Sequence, residues 1–131
     1  MVSWKNGLIH ALVSAILASI ACSIYNIIYT RSFFVDFSAV VNTGGIIGSC
    51  TLGCLLMSVL YLLAMKWKGD RIIVWVNILI SVLSFASIIS VLAFSLPLDV
   101  ESPEMFPGLA IPMHFFPALS FLTLSPLFRT K

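Results

Sequence analysis

Two histidines, three cysteines and a scatter of amides and hydroxyls are the only groups in this chain's long apolar stretches that could do chemistry. His114 is the most pointed of them. It stands in IPMHFFP, between Pro112 and Pro117. A proline has no amide N–H, so Pro112 frees the carbonyl of Gly108 and Pro117 that of Met113, each four residues back. Freed carbonyls beside an imidazole make a ready polar site in apolar surroundings. Other polar residues fall at a similar depth. Tyr25, Asn26 and Tyr29 close the first apolar stretch, Asn42 and Thr43 open the second, and Asp36 lies between them. The spacing predicts an outward-facing pocket of His114, Asn26 and Asn42, with Tyr29 at its edge and Asp36 as a cap. The alternative is a structural histidine that bonds an Asn or Ser of the next helix to fix packing. At the opposite end, His10 and Asn77 fall at matching depth and form a second candidate pair.

Several chemistries are excluded by type and spacing. His10 lies about three residues inside its segment, roughly 5 Å deep, and His114 about six inside the opposite end, roughly 9 Å deep. In an apolar layer about 30 Å thick they cannot share one metal or flank one haem. Cys50 and Cys54 are four apart on one helix and no CxxC is present. A thiol buried in lipid is unreactive, so Cys22, Cys50 and Cys54 read as small packing residues. No Asp or Glu falls within an apolar stretch, which argues against proton-coupled export, because an embedded acid would be its working group. No nucleotide motif and no metal-ligand cluster appears; neither cofactor nor metal is expected, and an enzyme is the less favoured reading.

The elements that must position these residues follow from composition. The chain of 131 residues is 60% hydrophobic and 9% charged, with a mean hydropathy of +1.12. Soluble domains carry about 25% charged residues, and a chain this short cannot hide so much apolar side chain in a core. An integral membrane protein is implied, with membrane lipids as its surroundings. A net charge of +2 is too small to suggest nucleic acid. Roughly 20 apolar residues cross a bilayer as a helix. Four segments qualify, at about 7–29, 40–65, 72–95 and 108–128, joined by short polar loops. The fold expected is all-α: a single transmembrane domain over residues 1–131, a four-helix up-down bundle. The first segment continues as SIYNIIY past SIAC (Ser19–Cys22), too long for a cleaved signal, so it is expected to stay.

Lys5, Lys66, Lys68, Arg71, Arg129 and Lys131 fall on the side of both termini, and only Arg31 on the other. This predicts both termini in the cytoplasm. Trp4, Trp67 and Trp75 on that side, and Tyr25 and Tyr29 on the other, read as interfacial belts. Lipid gives helices no hydrophobic reason to associate, so small residues mark the packing faces. Gly44 and Gly48 form a GxxxG pair, Gly45, Ser49 and Gly53 a second row, and Ala11, Ala15, Ala18 and Cys22 a third. They are expected to pack within the chain, with a homo-oligomer or a membrane-protein partner through the second helix as the alternative.

LAIPMHFFPAL, the short basic loop at Arg71, the serine-rich third segment and the acidic, proline-rich stretch before the last one resemble a family of small bacterial integral membrane proteins. These are uncharacterised four-helix chains of about this length with a Met-His pair, here Met113 and His114, in the final helix. The likeness covers mainly residues 71–128, with DFSAVVNTGGIIGS more loosely similar. It implies the same topology and a bacterial inner membrane, and it transfers no activity. The function expected is that of a non-enzymatic accessory or interaction subunit. The alternative is a lipid- or small-molecule-binding protein, or a transporter, using the pocket at His114.

Overall fold

A computed structural model describes residues 3–128. Five α-helices and two 3-10 turns account for most of them: α1 (Trp4–Phe33), α2 (Thr43–Lys68), the turn Gly69–Arg71, α3 (Ile72–Ala86), α4 (Ile88–Ala93), the turn Pro103–Met105, and α5 (Phe106–Phe128). No strand occurs among the described residues. Arg129 and Lys131, counted above among the basic residues of one side, lie outside the described residues.

Local chemistry sets the helix ends. The Ser3 hydroxyl accepts from the Lys5 N–H at the start of α1, and Asn42 Oδ1 accepts from the Gly45 N–H, 2.7 Å, at the start of α2. Both satisfy a donor that a helix N-terminus otherwise leaves bare. Phe34 closes α1 in the left-handed region, φ 54°. Gly69 closes α2 with φ 66°, a conformation glycine adopts without strain.

The division into four helices of spanning length is not what the structure shows. Three helical runs are long and apolar enough to cross a membrane: Trp4–Phe33, Thr43–Ala93 and Pro103–Phe128. The second and third expected segments belong to one helical stretch of 51 residues. It bends at the 3-10 turn, and its latter part is shorter than expected. The helix predicted over 72–95 stops at Ala86, and α4 carries only six residues more. The cause of the break is local: the Ser87 hydroxyl donates to the Ser84 carbonyl, 2.6 Å, and that of Ser90 to the Ser87 carbonyl, 2.6 Å. Such bonds compete with the helix ladder and bend it. The stretch doubles back at Gly69–Arg71, so that the Tyr61 hydroxyl of α2 donates to Asn77 Oδ1 of α3.

α5 is the centre of the assembly, touching all four other helices. α1 packs antiparallel to α2, with the Ser58 hydroxyl donating to the Gly7 carbonyl, 2.7 Å. It also packs antiparallel to α5, where His10 lies against Phe121 and Tyr29 against the Met105 carbonyl. α3 leans on α2 and α5 from the other side, α4 on α5, and neither meets α1. Antiparallel packing therefore gathers Trp4, Lys5, Lys66, Trp67, Lys68, Arg71 and Trp75 at one end. Arg31, Asp36, Asp99, Glu101 and Glu104 gather at the other.

The partition of side chains is the reverse of a water-soluble fold. α1 buries Ala11, Ser14, Ala15, Ala18 and Cys22 and turns Leu12, Ile16, Ile20, Ile24 and Ile28 outward. α3 exposes Val74, Ile78 and Val82. A continuous apolar exterior on helices of this length is what a bilayer solvates. At the acidic end, the α1–α2 loop inserts Val35 and Phe37 into a core with Val91, Phe106 and Leu109, and Phe37 is 1% exposed. Phe34 and Asp36, between and before them, face outward.

Candidate functional site

α5 carries prolines at 112, 117 and 126 and stays helical. Two of the carbonyls that these prolines orphan find partners on α1. The Tyr25 hydroxyl donates to the Gly108 carbonyl, 2.9 Å, the group Pro112 leaves free. The Cys22 thiol points to the Met113 carbonyl, 3.7 Å, the group Pro117 leaves free. Four further contacts extend the pattern: Tyr29 to Met105, 2.8 Å, Ser84 to the His114 carbonyl, 3.2 Å, Cys54 to Pro117, 3.9 Å, and His10 to Phe121, 2.9 Å. Side chains from α1, α2 and α3 thus hold α5 by its backbone. In a bilayer that meets the requirement that every main-chain polar group be satisfied inside the protein.

Between α2 and the α3–α4 arm, floored by α5, runs a cleft with a volume of about 760 Å³. It exists because α2 presents small residues here: Gly45, Ser49 and Gly53 line it, and the nearest contact an added Cβ at Gly53 would make is Pro117, 3.8 Å away. Deeper in, Leu56, Leu60 and Ile80 make its walls apolar. Its polar groups concentrate toward the acidic end, where Asn42, Ser84, Ser87, Ser90 and His114 line it. No charged side chain lines it among the described residues. The serine hydroxyls are already donating to backbone carbonyls. His114 Nδ1 lies 2.8 Å from the Ala110 carbonyl. A carbonyl only accepts, so Nδ1 carries the proton, and in the neutral ring Nε2 keeps a lone pair. Asn42 uses its oxygen as a cap and retains two amide donors. The cleft therefore offers the His114 lone pair, the Asn42 amide and the Ser49 hydroxyl at an otherwise largely apolar surface.

Of the residues the sequence singled out, His114 and Asn42 come together on this cleft. Asn26, Tyr29 and Asp36 do not line it. Asn26 is half-buried on α1, where its carbonyl accepts from Thr30. Tyr29 is committed to Met105. Asp36 is exposed and Oδ1 accepts from the Ser38 N–H, 2.8 Å. The Ser38 hydroxyl, then its N–H, hold the Asp36 carboxyl below its ordinary value. Gly44 and Gly48 are exposed, and a Cβ on Gly48 would meet nothing within 4 Å. They pack on no other helix of the chain.

His10 and Asn77 do not bond each other. His10 stacks on Phe121 and Phe128, at 4.0 and 4.9 Å between ring centroids, and Asn77 takes the Tyr61 proton. Ser125 donates to Tyr61, 3.3 Å. A void of about 20 Å³ lined by Asn6, His10, Ser58, Tyr61 and Ser125 lies beside this network, enough for one water.

Sequence reading missed the serine bonds to α5, the buried Phe37 and one thiol pair: the Cys50 S–H points at the Cys22 sulfur, 3.8 Å. A small-residue stripe on each helix was the only available signal. No three of His, Cys, Asp and Glu gather into a metal-binding group among the described residues. In comparisons with protein-family models, curated proteins and solved structures, none matches this chain.

Proposed function

We propose that this chain is a multi-pass protein of a bacterial inner membrane, crossing four times with both termini cytoplasmic, that binds a neutral amphiphile in the cleft. The cleft itself carries the reading. Its volume falls within the roughly 300–1,000 Å³ of small-molecule sites, and it has their pattern of apolar walls with few polar groups. Asn42 and His114 supply a donor and an acceptor for a hydroxyl or carbonyl head, while Leu56, Leu60 and Ile80 receive the tail. An ionic head is disfavoured because nothing in the cleft would offset its desolvation. Six of seven basic residues in the sequence fall on the side of the termini, which supports the orientation. The test is native mass spectrometry of the chain released from its own membrane. A lipid-sized adduct that is lost in Gly53→Leu, which fills the cleft, and weakened in His114→Ala supports the reading. An adduct-free chain, or one whose adduct is unchanged in Gly53→Leu, removes it.

A second reading, an accessory subunit or homo-oligomer, is favoured by Gly44 and Gly48, whose face no helix of this chain covers. Such a pair allows close approach of another helix. Crosslinking in native membranes should then give a dimer or a defined complex that Gly48→Leu abolishes.

A further inference from the structure

Cys22 of α1 and Cys50 of α2 stand 28 residues apart in sequence, yet their sulfurs lie 3.8 Å apart. Both are nearly inaccessible, 2% and 3% exposed, and Met113 of α5 packs against the cluster they form with Ala18 and Ile46, its carbonyl 3.7 Å from the Cys22 sulfur. All three side chains also border the large cleft, which gives a route in from outside. We propose that Cys22, Cys50 and Met113 form a binding site for a soft monovalent metal ion, Cu(I).

The donor set selects the ion. Two cysteine sulfurs and a thioether are soft ligands, which favour Cu(I). Zinc sites are built from thiolate, imidazole and carboxylate and close with four of them. Here no carboxylate borders the cleft among the described residues, which leaves at most three donors of that kind, Cys22, Cys50 and His114 Nε2. Sulfurs 3.8 Å apart suit one ion held by both: with metal–sulfur bonds of about 2.3 Å, the angle at the metal is about 110°. That leaves a position for a third donor from α5. Cys54, one turn on, points its S–H at Pro117 instead and is no part of the site.

The Cys22 proton is held by the Met113 carbonyl, whereas the Cys50 proton has only the Cys22 sulfur. On binding, the Cys22 and Cys50 S–H bonds break, both protons leave to water, and two S–Cu bonds form. Copper remains Cu(I) and no electron is transferred.

The experiment uses the whole chain, purified reduced and without oxygen, titrated with Cu(I) against a chromophoric Cu(I) chelator. The expected result is one tightly held Cu(I) per chain, lost in Cys50→Ala and in Cys22→Ala and retained in Cys54→Ala. No uptake, uptake indifferent to Cys50→Ala, loss in Cys54→Ala, or displacement of the copper by Zn(II) would overturn the proposal. Should the cysteine variants fail to fold, X-ray absorption on the copper-loaded unmutated chain decides. A shell of sulfur alone supports the site, and a shell with nitrogen or oxygen refutes it.

Discussion

At the scale of single residues, the most telling pair is a proline and a tyrosine on different helices. Pro112 removes the amide that would have bonded the Gly108 carbonyl, and the Tyr25 hydroxyl takes its place, 2.9 Å away. The two features should therefore be coupled. Tyr25→Phe alone is expected to cost about 0.5–1.5 kcal/mol, since it strips a hydrogen bond from a carbonyl with no other partner. In a Pro112→Ala background the helix can bond Gly108 itself, and the same change should cost clearly less. Unfolding of the four variants in mixed detergent–SDS micelles measures the difference; equal costs in both backgrounds would show that the tyrosine merely fills space. A second residue-scale expectation concerns Asp36. The Ser38 hydroxyl and N–H stabilise its ionised form, so its folded pKa lies below the ordinary 3.8. A depressed carboxylate contributes stability above the unfolded value, and that contribution is lost as pH falls through the folded one. An NMR titration should place the Asp36 midpoint below 3.8, and Ser38→Gly should raise it.

At the scale of elements, glycine positions separate contacts that matter from faces that do not. An added methyl at Gly108 runs into the Tyr29 hydroxyl, which is itself tied to the Met105 carbonyl. The ring cannot retreat without breaking that bond, so Gly108→Ala should destabilise by about 1–3 kcal/mol. At Gly7 the methyl would sit 2.6 Å from Leu62 Cδ1, the end of a flexible chain that can swing, so the cost should be smaller. At Gly48 nothing lies within 4 Å, and Gly48→Ala should leave the isolated chain unharmed or gain the helix propensity of alanine, up to about 1 kcal/mol. The order Gly108, Gly7, Gly48 in the same unfolding assay checks all three. Such distinctions were not legible in the sequence. Lipid makes both faces of a helix apolar, so hydrophobic periodicity says little about which face meets a neighbour. Residue size carried the remaining signal. It located the buried face of α1 at Ala11, Ala15, Ala18 and Cys22, but it could not tell Gly44 and Gly48, which are left bare, from Gly45 and Gly53, which open a cleft. That His114 and Asn42 border the same cleft was legible, because both lie near the same end of their segments. Asn26 and Tyr29 lie on α1, across α5 from the α3–α4 arm, a fact set by packing order rather than by depth. The break at Ser87 depends on side-chain bonds that leave no mark in an unbroken apolar run.

At the scale of the whole molecule, the 51-residue stretch Thr43–Ala93 decides how the chain meets the bilayer. As one straight helix it would extend about 77 Å at 1.5 Å per residue, more than twice an apolar core of about 30 Å. It would also place Lys66, Lys68, Asp70 and Arg71 near its middle, where each charge costs several kcal/mol. The contact between Tyr61 and Asn77 and the left-handed Gly69 describe the other solution, a hairpin that returns those charges to water. Single cysteines introduced at Lys68 and at Ser102, in a chain with its own three cysteines replaced by alanine, would separate the two. A membrane-impermeant maleimide applied to intact cells should label the residue at 102 and leave the one at 68 untouched until the membrane is opened. Labelling of position 68 alone from the outside would reverse the hairpin. Failure to label position 68 even after the membrane is opened would mean that the stretch crosses only once, with its charges buried, and with that the cleft between its two arms would have no place in a bilayer.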